Sequence, residues 1–382
     1  MSPAFIVDAV RTPRARRKGK FTTVHPVDLL TYPLNALCKR TQLAPDLMED
    51  LLVGCVTQAQ EQAWCVGRAA VLAAGWPISV PATTINRLCG SGLQALNFAA
   101  QGVLAGQYDL VVAAGLEHMT RVPMFSDGGG ETSPLLLKHH ADLVQQGESA
   151  EILAERFKIS RVDADTFALR SQTNAKLALE QGKFSKSMIA VPYRDDQGVE
   201  QLLSRDDNPR PETTLEGLAT LKTVFKPDGI ITAGNASAIV DGAAAILVAS
   251  EAALSKHSLK PRARIVAQIS IGSPPRIMLT GPIEASRQAL KRAGLSVQQI
   301  DLWEINEAFA PVPIMTMREL GIDPERVNVN GGGISLGHPL GATGAMLIGM
   351  AIDELERRHE RYAMVTMCIG LGMGIATILE RV

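Results

Sequence analysis

One pattern limits the fold more than any other. An extended run at 82–86 passes through Cys89-Gly-Ser-Gly92 into Leu93, Leu96, Ala100, Val103 and Leu104, apolar positions at helical spacing. Gly106 is placed to stop that helix, and a continuous apolar strand follows at 110–114. The same order recurs near the end, where 327–329 leads into a glycine-rich turn carrying His338, an apolar helix at about 343–358 and a strand at 363–368. Two copies of one architecture follow, alike in element order rather than in residue identity. Apolar runs at 110–115, 244–249, 265–269 and 364–368 alternate with Ala/Leu-rich stretches, which predicts an α/β chain with buried sheets.

Between the copies, from 118 to 239, the texture changes. Gly128-Gly-Gly130 and a polar stretch at 205–211 flank a helix pair at 150–157 and 162–181. Ser160 and Asp163 make a capping box for the second helix, and Gly182 stands where it would stop. The segment reads as a capping insertion, not a separate globule. The 382 residues, 46% hydrophobic and 20% charged, suffice for a packed core. Lys and Arg number 38 against 39 Asp and Glu, so no global field gathers phosphate backbones or anionic lipid. No run approaches a membrane span, and 4–10 reads as a first strand. Neither nucleic acid nor membrane is expected as a partner. Five cysteines without C-x-x-C or a Cys/His cluster of zinc spacing indicate no metal and suit a cytoplasmic setting.

Four places offer chemistry. Cys89 precedes a helix beginning near Ser91, where unpaired N–H groups and the dipole would lower a thiol from about 8.5 toward neutrality, and Gly90 and Gly92 would let a substrate approach. An isolated cysteine is more often a small buried hydrophobe. His338, in Gly337-His-Pro-Leu-Gly341, could act as base because imidazole titrates near physiological pH; a structural histidine is the alternative. Cys368 closes a strand and enters Ile369-Gly-Leu-Gly-Met-Gly374, whose backbone could donate N–H groups to an oxyanion. A nucleotide loop is excluded there, because a strand at 375–379 follows and no helix. Asn306 and Glu307 offer an amide and a carboxylate at a strand-to-helix junction, with an N-cap pair as the plainer reading. The basic run Arg11, Arg14, Arg16, Arg17, Lys18, Lys20 reads as a solvated loop, and His139-His140 as surface.

Together, Asn86-Arg-Leu-Cys-Gly-Ser-Gly92, Asn306-Glu-Ala-Phe-Ala310, Gly337-His-Pro-Leu-Gly-Ala-Thr-Gly344 and Cys368-Ile-Gly-Leu-Gly-Met-Gly374 resemble the thiolase family. So do Val10-Arg-Thr-Pro13, Thr232-Ala-Gly-Asn-Ala-Ser237 and Asp241-Gly-Ala-Ala244, so the resemblance spans the chain. It implies two βαβαβαββ halves stacked in five αβαβα layers: 1–268, carrying the 118–239 insertion as a coenzyme A-binding loop, and 269–382. It also implies a homodimer or homotetramer, with a hydratase/dehydrogenase subunit as a further partner. Carried over by position, Cys89 is the acylated nucleophile, His338 its activator and Cys368 the acid and base at the α-carbon of acetyl-CoA. Asn306 and His338 hold one oxyanion site through a water, and the N–H groups of Cys89 and Gly370 form the other. Ser237 matches a pantetheine contact and Arg210 a basic residue near the adenine. Coenzyme A is then a co-substrate, with no permanent cofactor.

Biosynthetic acetoacetyl-CoA thiolases carry His-Met-Gly where this chain has Gln145-Gln146-Gly147, and Leu371 replaces a common glycine. The reading therefore favours a degradative 3-ketoacyl-CoA thiolase of the β-oxidation kind over an acetoacetyl-CoA one. A decarboxylating condensing enzyme would have a histidine or asparagine where Cys368 stands. A non-catalytic CoA or lipid carrier would bind without acyl transfer.

Overall fold

The computed structural model describes residues 3–128 and 130–382. Nine strands carry the architecture: β1 (Phe5–Arg11), β2 (Asp50–Gly54), β3 (Ala82–Ile85), β4 (Leu110–His118), β5 (Val240–Ala249), β6 (Ala263–Gly272), β7 (Leu302–Ile305), β8 (Tyr362–Ile369) and β9 (Met373–Arg381). Their hydrogen-bonded order is β7-β8-β9-β6-β1-β5-β4-β2-β3. Read outward from the middle, each half repeats one scheme. β1, β5, β4, β2 and β3 lie on one side; β6, β9, β8 and β7 lie on the other, where Val327 adds a bridge beside Trp303 in place of a fifth strand. Within the sheet the halves are paired through Phe5 against Arg264 and Ile6 against Ala263.

Helices α1 (Pro26–Thr41), α2 (Ser91–Leu104), α3 (Gln146–Arg156), α4 (Arg161–Glu180), α5 (Gly281–Ala293) and α6 (Leu340–Arg358) complete the layers. Alternation along the strands decides which face each side chain takes. On β4, Val111 and Ala113 join a central core with α2 and α6, whereas Leu110, Val112 and Ala114 join α1 on the outside. On β8, Val365 and Met367 point to that same centre, and Met364 and Cys368 to the core shared with α5. Three apolar cores separated by two sheet halves give the five αβαβα layers. The strand β6 runs unbroken through 268 and 269.

The central helices α2 and α6 touch backbone to backbone. A Cβ on Gly92 would lie 2.5 Å from the Gly341 carbonyl, and one on Gly341 would lie 2.5 Å from the Leu116 carbonyl and 2.8 Å from Cys55 Cα. Only glycine permits that approach. Since Cys89 and His338 each stand just ahead of one of these helices, the contact brings the two turns to one place. Gly90 and Gly92 therefore serve packing, Gly90 against Ile369, rather than substrate approach as the sequence suggested.

The insertion holds α3 and α4, and Ser160 and Asp163 form the expected capping box. The basic run is not uniformly solvated. Arg11 and Arg14 are 1% exposed, because Arg11 reaches Asp206 of the insertion through two bonds of 2.8 Å and lies over the Phe184 ring. Arg14 donates its backbone N–H to the same carboxylate. Gly129 of the glycine run lies outside the described residues.

Candidate active site

The turn that presents Cys89 is built from its neighbours. Asn86 Oδ1 accepts from the Leu88 N–H at 2.8 Å while its amide holds the Val56 carbonyl. Ser91 Oγ donates to the Leu88 carbonyl at 2.7 Å and accepts from the Arg87 N–H. Leu88 takes φ 46°, the left-handed region, to turn the chain sharply before the helix. Cys89 ends 5% exposed in the central core.

His338 follows Gly337, whose φ of 98° excludes a side chain, and donates its N–H to the Ala238 carbonyl. Its Nδ1 lies 2.6 Å from Thr343 Oγ1, and that hydroxyl donates its single proton to the Pro339 carbonyl at 2.9 Å. Nδ1 must therefore carry the imidazole proton, leaving Nε2 as the acceptor. Asn306 Nδ2 lies 3.3 Å from that Nε2, and Asn306 Oδ1 is buried without a partner. Asn306 follows β7 directly and is not an N-cap; the next helix starts at Pro311 with Ala310 as its cap. Glu307 is not a cap either. It is fully buried and accepts from Ser171 of α4, Asn328 and the Ile334 N–H, which ties the insertion to the loop before His338.

Cys368 is the penultimate residue of β8 and wholly buried. Leu371 and Gly372, at φ 62° and 82°, turn the chain back into β9, and the Gly370 N–H is left directed at the Cys89 sulfur. The two sulfurs are close enough that charge on Cys89 pushes the Cys368 thiol further up.

The electrostatics reverse two sequence expectations. Burial pushes the Cys89 thiol up, against the opposing pull of the Gln146 amide and the N–H groups of Gly370 and Cys89 itself. Burial, with the Arg14 guanidinium adding to it, pulls His338 down to about 3. Desolvation outweighs the helix end for the thiol and removes the imidazole from the physiological range. The resting pair is neutral: a thiol beside a free base, not a thiolate beside an imidazolium.

Arg210 lies at the surface, whereas Ser237 lies beside the loops that carry Asn306 and His338. Arg210 is exposed, lines a cavity of about 60 Å³ with Gln172, Thr213, Leu218 and Ala238, and anchors its N–H on Gln172. Ser237, half-buried beside Ala238, bonds the Ala308 carbonyl two residues from Asn306. Sequence reasoning missed Thr343, which sets the imidazole tautomer, although it lies inside the His338 motif. It also missed Glu117, whose buried carboxylate gathers the N–H groups of Val56, Thr57 and Gly341 from two segments far apart in the chain. No spacing in the chain announces that gathering. Among the described residues no cluster suited to a metal ion exists, and no helix is long and apolar enough to cross a membrane.

Comparison with known proteins bears on the same residues. The profile described as "Thiolase, N-terminal domain" matches 4–252, and that described as "Thiolase, C-terminal domain" matches 259–381. The chain is 46% identical to the 3-oxoadipyl-CoA/3-oxo-5,6-dehydrosuberyl-CoA thiolase of Escherichia coli, over the whole of both chains. It is 43% identical to a 3-ketoacyl-CoA thiolase of Erwinia tasmaniensis, again over both in full. The crystal structure of human mitochondrial 3-ketoacyl-CoA thiolase superposes with a TM-score of 0.91 at 38% identity, covering 100% of this chain and 99% of that one.

Proposed function

The chain belongs to the thiolase family of acyltransferases, and on that premise we propose that it is a degradative 3-ketoacyl-CoA thiolase working through an acyl-Cys89 intermediate. The observation that supports this reading is the packing of α2 against α6, which sets the turn carrying Cys89, with the Gly370 N–H and Cys368 at its sulfur, beside the turn carrying His338, which faces Asn306.

The chemistry follows from the protonation states. His338 Nε2, unprotonated in this tautomer, exchanges its contact with the Asn306 amide for the Cys89 proton as the sulfur adds to the 3-keto carbon. The N–H groups of Cys89 and Gly370 receive the resulting oxyanion, each such donor being worth about a hundred- to a thousand-fold in rate. The bond between carbons 2 and 3 then breaks, leaving acyl-Cys89 and the enolate of acetyl-CoA. The thioester oxygen of that enolate is received by His338, now a donor at Nε2, and by the Asn306 side chain beside it through a water. Cys368 gives its proton to carbon 2, and acetyl-CoA leaves. The incoming CoA thiol returns a proton to Cys368, attacks the acyl group, and Cys89 departs to recover its proton from His338.

Coenzyme A enters as co-substrate, its pantetheine arm passing Ser237 and its adenine end near Arg210 and the cavity that residue lines. The insertion 118–239 serves as the covering loop over units 1–268 and 269–382, joined within β6. Assembly as a homodimer or homotetramer in the cytoplasm completes the proposal, with a hydratase/dehydrogenase subunit as a partner supplying 3-ketoacyl-CoA.

Intact-mass spectrometry after mixing with acetoacetyl-CoA tests it. The native protein gains one acyl group and Cys89→Ala gains none. Cys368→Ala is acylated but no longer exchanges the α-protons of acetyl-CoA with deuterium. Thiolysis retained by Cys89→Ala would falsify the assignment.

A further inference from the structure

Gln146 is the first residue of α3, at the position where the sequence departs from the acetoacetyl-CoA pattern. Its helix cannot drift. Gly147 lies so close under the Phe225 ring that no Cβ would fit, and Phe225 meets Phe309 edge to face at 6.0 Å. Phe309 belongs to the segment that begins with Asn306, so α3 is fixed over the reacting groups. The Gln146 Nε2 is buried with no partner within hydrogen-bonding distance, and it lies beside the Cys89 sulfur. Three residues on, along the same helix face, Ser149 is fully buried and its Oγ also lacks a partner.

We propose that Gln146 is a specificity-determining residue whose amide nitrogen donates to a terminal carboxylate on the acyl chain carried by Cys89. The site thereby favours ω-carboxylated 3-oxoacyl-CoA over the plain alkyl chain of equal length. This rests on the acyl-Cys89 reading above.

In the free enzyme the amide faces the uncharged Cys89 thiol and makes no hydrogen bond to it. Acylation does not supply the missing acceptor, because a thioester sulfur, like the resting thiol, bears no charge. The acyl oxygen is already held by the N–H groups of Cys89 and Gly370, so the new acceptor must come from further along the chain. An alkyl chain offers none and leaves both Gln146 and Ser149 unsatisfied in a buried place. A site built to hydrogen-bond rejects a partner that lacks the group far more strongly than an apolar pocket rejects an added one. A carboxylate satisfies both donors at once.

The experiment compares kcat/KM for thiolysis of 3-oxoadipyl-CoA and 3-oxohexanoyl-CoA, which differ in the terminal carboxylate alone. The native enzyme favours the carboxylated substrate. In Gln146→Met, which keeps the volume and drops the donor, the ratio of the two falls by about tenfold, the discrimination expected of one lost hydrogen bond. In Gln146→Glu it falls further, through repulsion of like charge. Acyl adducts on Cys89 by intact mass, followed with both substrates, show separately whether the covalent reading holds. A native ratio below one, or a ratio unchanged in both variants, overturns the proposal.

Discussion

The burial of a neutral imidazole makes stability depend on pH in a defined window. Unfolded, the His338 ring binds a proton below about 6.5; folded, it stays neutral until about 3. As pH falls through that interval the unfolded chain holds one proton more than the native one, so stability is lost, and it is fully present above 6.5. Integrated over the interval, the drop from pH 6.5 to 4.5 removes about 2 kcal/mol on this account alone. Burial also pushes the Glu117 and Glu307 carboxyls up, which acts in the opposite sense, since the native state then takes its protons first. A matched pair removes those contributions. Urea unfolding of the native protein and of His338→Gln, at half-unit steps from pH 7 to 4.5, gives two stability curves. Their difference should shrink by about 2 kcal/mol across the window, whatever the absolute stability of the variant. Parallel curves would refute the argument and imply an imidazole that is solvated, or protonated, in the folded state.

Two further outcomes follow from packing and charge. Gly92→Val forces side-chain atoms onto the Gly341 carbonyl, 2.5 Å from where a Cβ would sit, and should cost about 1–3 kcal/mol with a lowered Tm and a larger loss of activity; an unchanged Tm would mean that α2 and α6 are not in contact. Arg11→Met strips the buried Asp206 carboxylate of its two-bond partner and should cost about 3–5 kcal/mol by chemical denaturation, while loss below 1 kcal/mol would place the pair in solvent.

The strand-turn-helix units at Cys89 and His338 were legible because apolar spacing and flanking glycines are local properties of the chain. The charge states around them were not. Nothing near Cys89 in sequence says that it will be 5% exposed, since that follows from α6, Ile369 and the insertion closing over it. The same holds for Arg11, whose partner Asp206 stands 195 residues away. A basic run looks solvated until a distant carboxylate is folded onto it. Glu307 was visible as a carboxylate at a strand end, but its work in holding Ser171, Asn328 and Ile334 depends on segments that meet only in space. Gln146 was visible only as a departure from a pattern. Its unpartnered nitrogen needed the fold to be seen.

Glu117 belongs to the first half, yet one of the three N–H groups it gathers is that of Gly341, at the start of the second half's central helix. The duplicated scheme is thus not a pair of autonomous modules. Either half produced by itself would carry a carboxyl missing one of its donors or a helix missing its fastener, and the nucleophile would be parted from its base. Such fragments should seek each other in solution and regain turnover only on reunion.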